Sequence, residues 1–109
     1  MDSKSAESKT RVAVAGLGAI GASVVRALDR GIEGLSLTAV SAQNAAKHRA
    51  WLAELKSSPE LQPIDRLAEV ADIVVECAPS KLVRSIVAPV VASGKTAIVL
   101  SVEIGRAHV

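Results

Sequence analysis

Apolar residues recur along this chain with two alternating periods. Arg11-Val-Ala-Val-Ala15 is a short run rich in β-branched residues that ends at Gly16, the pattern of a strand covered on both faces. From Gly18 the spacing turns helical. Ile20, Val24, Ala27 and Leu28 fall at i, i+4, i+7 and i+8, which predicts an apolar stripe on a helix stopping at Gly31. Leu35 to Val40 reads as a second strand, after which Ser41 or Asn44 is placed to cap a helix reaching about Lys56, with Ala45, His48, Leu52 and Leu55 as its stripe. Ser57-Ser-Pro59 breaks it. Leu61-Gln-Pro-Ile64 is too short and too proline-interrupted for more than an edge strand, and Asp65 is placed to cap a short helix through Val70. Asp72 to Cys77 is a further apolar strand. The helix after Ala78-Pro-Ser80 would turn Leu82, Ile86, Val87, Val90 and Val91 inward, with a kink between Ser85 and Pro89 because proline lacks an N–H and crowds the preceding turn. Gly94 ends that helix, and Thr96 to Ser101 is the last strand. Strands this apolar, alternating with helices, predict an open α/β sandwich: a parallel sheet with helices on both faces.

Composition narrows the function. The chain has 109 residues, of which 50% are hydrophobic and 22% charged, so it forms one domain at most and carries too much apolar surface for a disordered tail. Trp51 is its single aromatic residue beside no Phe or Tyr, which removes the stacking platforms that single-stranded nucleic acid needs. A net charge of +2 from scattered basic residues gives no nucleic-acid footprint. No Cys/His cluster has metal-ligand spacing, and the lone Cys77 is expected to sit in a reducing compartment. The polar start has no apolar signal core, and no stretch approaches the roughly 18 apolar residues of a membrane span. A cytoplasmic location follows as the expectation.

The chemistry-bearing motif is Gly16-Leu-Gly-Ala-Ile-Gly21, a G-x-G-x-x-G placed directly after a strand and opening a helix. Gly16 suits the tight turn, Gly18 brings backbone close to a pyrophosphate, and Gly21 lets helix and strand approach. Unpaired N–H groups at the helix start, with the helix dipole behind them, would hold the phosphates of a nicotinamide dinucleotide. An NAD-selective site usually carries a carboxylate about 20 residues further on, at the end of the second strand. Here that place reads Ser41-Ala-Gln-Asn44, so a 2′-phosphate meets no repulsion, and Lys47 or Arg49 lies one turn on. NAD or NADP is therefore expected as cofactor, with Lys47 and Arg49 otherwise solvated helix charges. Cys77 has no activating base in view and reads as a small buried side chain. Together with Ala78 and Pro79 it offers backbone and a flat apolar surface to the nicotinamide ribose. His48 and Trp51 read as helix packing.

Val12-Ala-Val-Ala-Gly-Leu-Gly-Ala-Ile-Gly21, Leu37-Thr-Ala-Val-Ser41, Ala71-Asp-Ile-Val-Val-Glu-Cys-Ala-Pro79 and Gly94-Lys-Thr-Ala-Ile-Val-Leu-Ser-Val102 together resemble the L-aspartate dehydrogenase family, within the aspartate/homoserine dehydrogenase NAD-binding group. The resemblance implies a Rossmann-type doubly wound parallel sheet over residues 11–102, stopping after about five strands. It implies NAD(P)-dependent oxidative deamination of L-aspartate to iminosuccinate, feeding NAD biosynthesis, in a homodimer. By the same resemblance Gly16, Leu17, Gly18, Ala19, Ile20 and Gly21 lie at the pyrophosphate, Ser41 near the adenosine ribose, and Cys77, Ala78, Pro79 and Ser101 on the nicotinamide side.

Family members continue into a second domain that carries the catalytic histidine, the amino-acid site and the dimer surface. Here Val102 is followed by Glu-Ile-Gly-Arg-Ala-His-Val109. Those residues can be encoded GAG ATC GGA AGA GCA CAC GTC, which resembles a sequencing-library adapter, so residues 103–109 are expected to be a non-native tail and His108 no catalytic group. Residues 1–10 are expected to be a disordered polar tail. The expectation is thus a cofactor-binding fragment without turnover. The alternatives are another two-domain NAD(P) oxidoreductase such as a homoserine dehydrogenase or an imine-reducing relative, a non-catalytic nucleotide-binding module, and a fragment that misfolds around an uncovered sheet edge.

Overall fold

A computed structural model describes residues 9–101; the tail expectations for residues 1–8 and 103–109 lie outside the described residues, and Thr10, expected in the tail, instead opens the first strand, paired with Leu35. Five strands, β1 (Thr10–Ala15), β2 (Leu35–Ser41), β3 (Glu60–Leu61), β4 (Ile73–Glu76) and β5 (Thr96–Val99), form one sheet in the order β3-β2-β1-β4-β5. Every neighbouring pair is parallel. Parallel pairing forces a crossover after each strand. The crossovers carry the helices α1 (Ala19–Arg30), α2 (Ala45–Ala53), α3 (Leu67–Val70) and α4 (Val83–Ala92).

The strand residues alternate between two cores. Val12, Val14, Leu37, Val40 and Val75 pack with Val25 and Leu28 of α1 and Leu52 of α2. Ala13, Ala15, Ala39 and Val74 pack on the opposite face with Leu67 and Ala68 of α3 and Ile86 and Val90 of α4. Side chains of successive strand residues point to opposite faces, so a run such as Val12 to Ala15, buried throughout, is what a doubly covered strand requires. The β1–β2 register shifts between Val12 and Ala13, where Val12 pairs with Leu37 and Ala13 with Ala39. Thr38 is the extra residue, and its Oγ1–H donates to the Val70 carbonyl at 2.7 Å, tying β2 to the end of α3.

Three predicted details are corrected. The buried face of α1 is Gly21, Val25 and Leu28, whereas Ile20 is 59% exposed. The helix is turned about one position from the predicted stripe because Gly21 must face β1. In α4 the inward residues are Ile86 and Val90; Val91 is 59% exposed, one residue and roughly 100° round the helix from Val90. The short helix before β4 starts as a single 3₁₀ turn, Ile64–Arg66, with Pro63 rather than Asp65 at its N-cap. Pro89 lies inside α4, which runs unbroken from Val83 to Ala92. At the β5 edge, Ile98, Val99 and Leu100 remain 42%, 43% and 39% exposed, the uncovered apolar edge that the sequence predicts.

The amino-terminal edge of the sheet is tied by charge. Arg11 donates from Nη2 to Asp72 Oδ1 at 2.9 Å and from Nε to Oδ2 at 3.2 Å, and its backbone N–H also reaches Oδ2. These bonds hold the Asp72 carboxyl at about 2, below its ordinary 3.8. A carboxyl lowered on folding stabilises the fold above its unfolded value, and that contribution is lost as pH falls through the folded one. The stability difference between wild type and Asp72→Asn should therefore be present above about pH 4 and vanish towards pH 2, read as urea midpoints across that range. A difference independent of pH would show that the ion pair is not its source.

Candidate functional site

A cleft of about 750 Å³ opens at the carboxyl ends of β1, β2, β4 and β5. Ligands of open parallel sheets bind at this edge, where strands on either side of the switch point send their crossovers to opposite faces. β1 lies at that point, with β2 on one side and β4 on the other. The volume is that of a small-molecule site.

The turn between β1 and α1 forms one wall. Gly16 has φ +103, a backbone that side-chain-bearing residues rarely adopt, and a Cβ there would lie 2.7 Å from the Cys77 carbonyl and the Ala78 nitrogen. The turn is anchored by the Gly16 N–H, which donates to the Ser41 carbonyl at 2.8 Å. Gly21 is tighter still: a Cβ on it would stand 1.8 Å from the Gly16 oxygen. Gly18 differs from both. It lines the cleft, and a Cβ built on it meets nothing within 4 Å. The fold's packing thus explains two of the three glycines and leaves the space in front of the third open. Gly18 is also the N-cap of α1, with no side-chain cap and no acidic residue in the first turn, so the first-turn N–H groups face the cleft end without an internal anion.

The opposite wall is built from the ends of β4 and β5. Cys77, Ala78, Pro79 and Ser101 all line the cleft, together with Ser41 at the end of β2. The Cys77 N–H donates to the Ala15 carbonyl at 2.7 Å, which continues the β1–β4 pairing to the cleft floor. Cys77 is half-buried, and burial, helped by the Glu76 charge, pushes its thiol up. A raised thiol is a poor nucleophile, in keeping with a packing role.

Of the eleven residues expected at a cofactor, nine line this cleft: Gly16, Leu17, Gly18, Ile20, Ser41, Cys77, Ala78, Pro79 and Ser101. Ala19 and Gly21 do not; Ala19 opens α1 and Gly21 lies beneath the turn. Ile20, misplaced in the helix stripe, is exposed because it stands at the cleft mouth. Lys47 joins the lining whereas Arg49 faces a separate groove with Leu52, Ser58 and Leu61.

Ala42, Gln43 and Asn44, the stretch read in sequence as lacking the ribose carboxylate, line the cleft too, and sequence reasoning missed His48, Ile64 and Leu82. Gln43 and Asn44 directly follow β2, so the strand-end rule was signal enough for them. His48 accepts a hydrogen bond at Nδ1 from the Trp51 indole N–H at 3.0 Å, and Arg26 lies 4.7 Å over the Trp51 ring. An accepting Nδ1 puts the neutral ring's proton on Nε2, making His48 a donor on its free side. Among the described residues no carboxylate lines the cleft, and no group of His, Cys, Asp and Glu is placed to hold a metal. No helix among them is long and apolar enough to cross a membrane.

Over residues 16–107 the chain matches the protein family described as homoserine dehydrogenase, NAD binding domain. It is 54% identical over 102 residues to L-aspartate dehydrogenase of Bradyrhizobium diazoefficiens, covering 94% of this chain and 36% of that protein. It is 32% identical over 92 residues to L-aspartate dehydrogenase of Methanocella arvoryzae, covering 84% and 34%. The chain thus spans about a third of the length of these curated relatives. Among solved structures, myo-inositol dehydrogenase of Lactobacillus casei in complex with NAD(H) and myo-inositol superimposes with a TM-score of 0.74 at 17% identity, over 84% of this chain and 28% of that one. Myo-inositol 2-dehydrogenase of Lactobacillus plantarum gives 0.73 at 20% identity, covering 84% and 27%. At such identities the likeness establishes the fold, a Rossmann-type sheet.

Proposed function

The chain belongs to the family of homoserine dehydrogenase NAD-binding domains, and on that premise we propose that its cleft binds NAD or NADP as the cofactor-binding part of an L-aspartate-dehydrogenase-type oxidoreductase. The observation that carries this reading is the open space in front of Gly18 at the start of a helix with an empty first turn. An anion fits there: backbone N–H groups and the helix dipole favour it, and no side chain stands in its way.

In this reading the backbone from Gly16 to Gly21 surrounds the diphosphate, Ser41 lies at the adenosine ribose, and Cys77, Ala78, Pro79 and Ser101 face the nicotinamide half. Ala19 and Gly21 contribute through the helix start and its approach to β1. The end of β2 has no acid to repel a 2′-phosphate, and Lys47 with the Nε2 donor of His48 supplies attraction, so NADPH is accommodated as well as NADH. When bound, the cofactor would accept a hydride from the α-carbon of L-aspartate while the amino group gives up a proton, leaving iminosuccinate, NAD(P)H and H+. The chain's own residues hold and orient it; we assign none of the described residues a catalytic role. The amino-acid substrate, the homodimer and a place in NAD biosynthesis belong to the longer protein, and the single reduced Cys77 supports a cytoplasmic setting.

Titrating the 109-residue chain with NADH and with NADPH, followed by nicotinamide fluorescence, tests the reading. Saturable binding of at least one coenzyme is expected. Failure of both to bind a folded sample would overturn it.

A further inference from the structure

Glu76 is the one fully buried charged side chain among the described residues, and the proposed cofactor contacts make no use of it. A carboxyl in this position is costly unless its oxygens are satisfied. Here they are satisfied by the two walls of the cleft. Oε2 accepts the Ala78 N–H at 2.8 Å. Oε1 accepts the Ser101 hydroxyl at 2.6 Å and the Ser101 N–H at 3.3 Å. The Glu76 backbone carbonyl also accepts the Leu100 N–H at 2.9 Å. All three side-chain bonds are donated to the carboxyl, as an acceptor-only group demands, and the hydroxyl distance is that of a charge-assisted bond. No Lys or Arg is paired with it among the described residues, so its partners are only the two lips.

Glu76 lies 25 positions from Ser101, and the residues it joins follow different strands, Ala78 after β4 and Ser101 after β5. Strand pairing between β4 and β5 ends at Glu76 and Val99, so beyond it only the Leu100 bond and this carboxyl hold Ser101 to the β4 lip. The glycine turn and Ser41 have their own bond and do not depend on it.

We propose that Glu76 is a positioning residue for the nicotinamide half of the cofactor, its buried carboxylate clamping Ala78 to Ser101 so that both lips of that end of the cleft stay in place. The proposal rests on the coenzyme reading above.

Glu76→Gln separates this role from a general structural one. A carboxamide has one accepting oxygen and one donating nitrogen, so it satisfies Ser101 or Ala78 but turns N–H against N–H at the other. Binding of NADH and NADPH to the full chain should weaken about tenfold, while ADP, which has the diphosphate but neither the nicotinamide nor its ribose, should bind within about twofold of wild type. Glu76→Asp keeps the carboxylate but shortens its reach by one methylene. It should give the same asymmetry, and it carries the test should the Gln variant fail to fold by circular dichroism. Equal losses for the coenzymes and ADP, or no loss for either, would overturn the proposal. Failure of wild type to bind any of the three probes would instead strike at the coenzyme reading.

Discussion

Gly18→Ala is expected to keep the fold and lose the ligand: a melting temperature within about 3 °C of wild type, with NADH and NADPH binding weakened at least about tenfold. The two halves of this expectation have separate causes. Gly18 has φ −71 and ψ −162, a conformation alanine adopts without strain, and its Cβ would touch no protein atom within 4 Å. Alanine is a poorer N-cap than glycine, but it also restricts the unfolded chain, and these effects oppose each other at roughly half a kcal/mol each. The added methyl would instead occupy the cleft, in the space a phosphate must enter to reach the first-turn N–H groups of α1. Paired thermal melts and fluorescence titrations decide it. An unchanged affinity would mean that nothing approaches this backbone, leaving the glycine without a ligand to explain it.

The contrast between Gly18 and its two neighbours also marks how far the sequence could be read. Strand, glycine turn and helix were legible because the properties involved are local: a run of alternating small and branched residues, and backbone freedom at Gly16, where φ is +103. The parallel sheet covered on both faces followed from the apolar strands alternating with helices, whereas the strand order β3-β2-β1-β4-β5 is a tertiary fact. The phase of α1 did not follow either, since Ile20, Val24 and Leu28 fit a helical period as well as Gly21, Val25 and Leu28 do. Only the requirement that Gly21 lie against Gly16 chooses between them, and that is a tertiary fact. The bulge at Thr38 was invisible for a similar reason, because its hydroxyl is satisfied by the Val70 carbonyl on another crossover.

The cleft was legible in the parts that immediately follow strands and not in those that reach it from a distance. Ser41, Cys77 and Ser101 could be placed by the strand-end rule. Ile64 and Leu82 arrive from the turns after β3 and β4, and His48 through its bond to Trp51, so their places depend on where crossovers settle. The Glu76 clamp is the clearest case. A glutamate ending an apolar strand is an oddity in sequence, but its partners become known only once β5 is laid beside β4.

Gly21→Ala should have the largest effect on stability of any single methyl added to this chain, and in the direction opposite to helix propensity. In a free helix, alanine is better than glycine by about 1 kcal/mol. Gly21 lies within α1 and is buried, so propensity alone would make the substitution stabilising. Its Cβ, however, would lie 1.8 Å from the Gly16 oxygen and 2.8 Å from the Gly16 carbon, far inside any real contact, with the Cys77 Cβ at 3.4 Å closing the remaining side. The obstructing atoms are backbone and cannot rotate away. Relief requires α1 to lift from β1, which would pull Val25 and Leu28 out of the core they share with Val12 and Val14. Overpacking usually costs about 1 to 3 kcal/mol, and contact with fixed backbone should place this case at or beyond the upper end. For a domain of this size that corresponds to a fall in melting temperature of at least about 10 °C, or loss of cooperative unfolding. Coenzyme binding should weaken with it, because the same displacement moves the first-turn N–H groups away from the cleft. A variant as stable as wild type would show that α1 does not rest on β1 at this glycine, and the account of why the turn needs three glycines would then fail at its most constrained position.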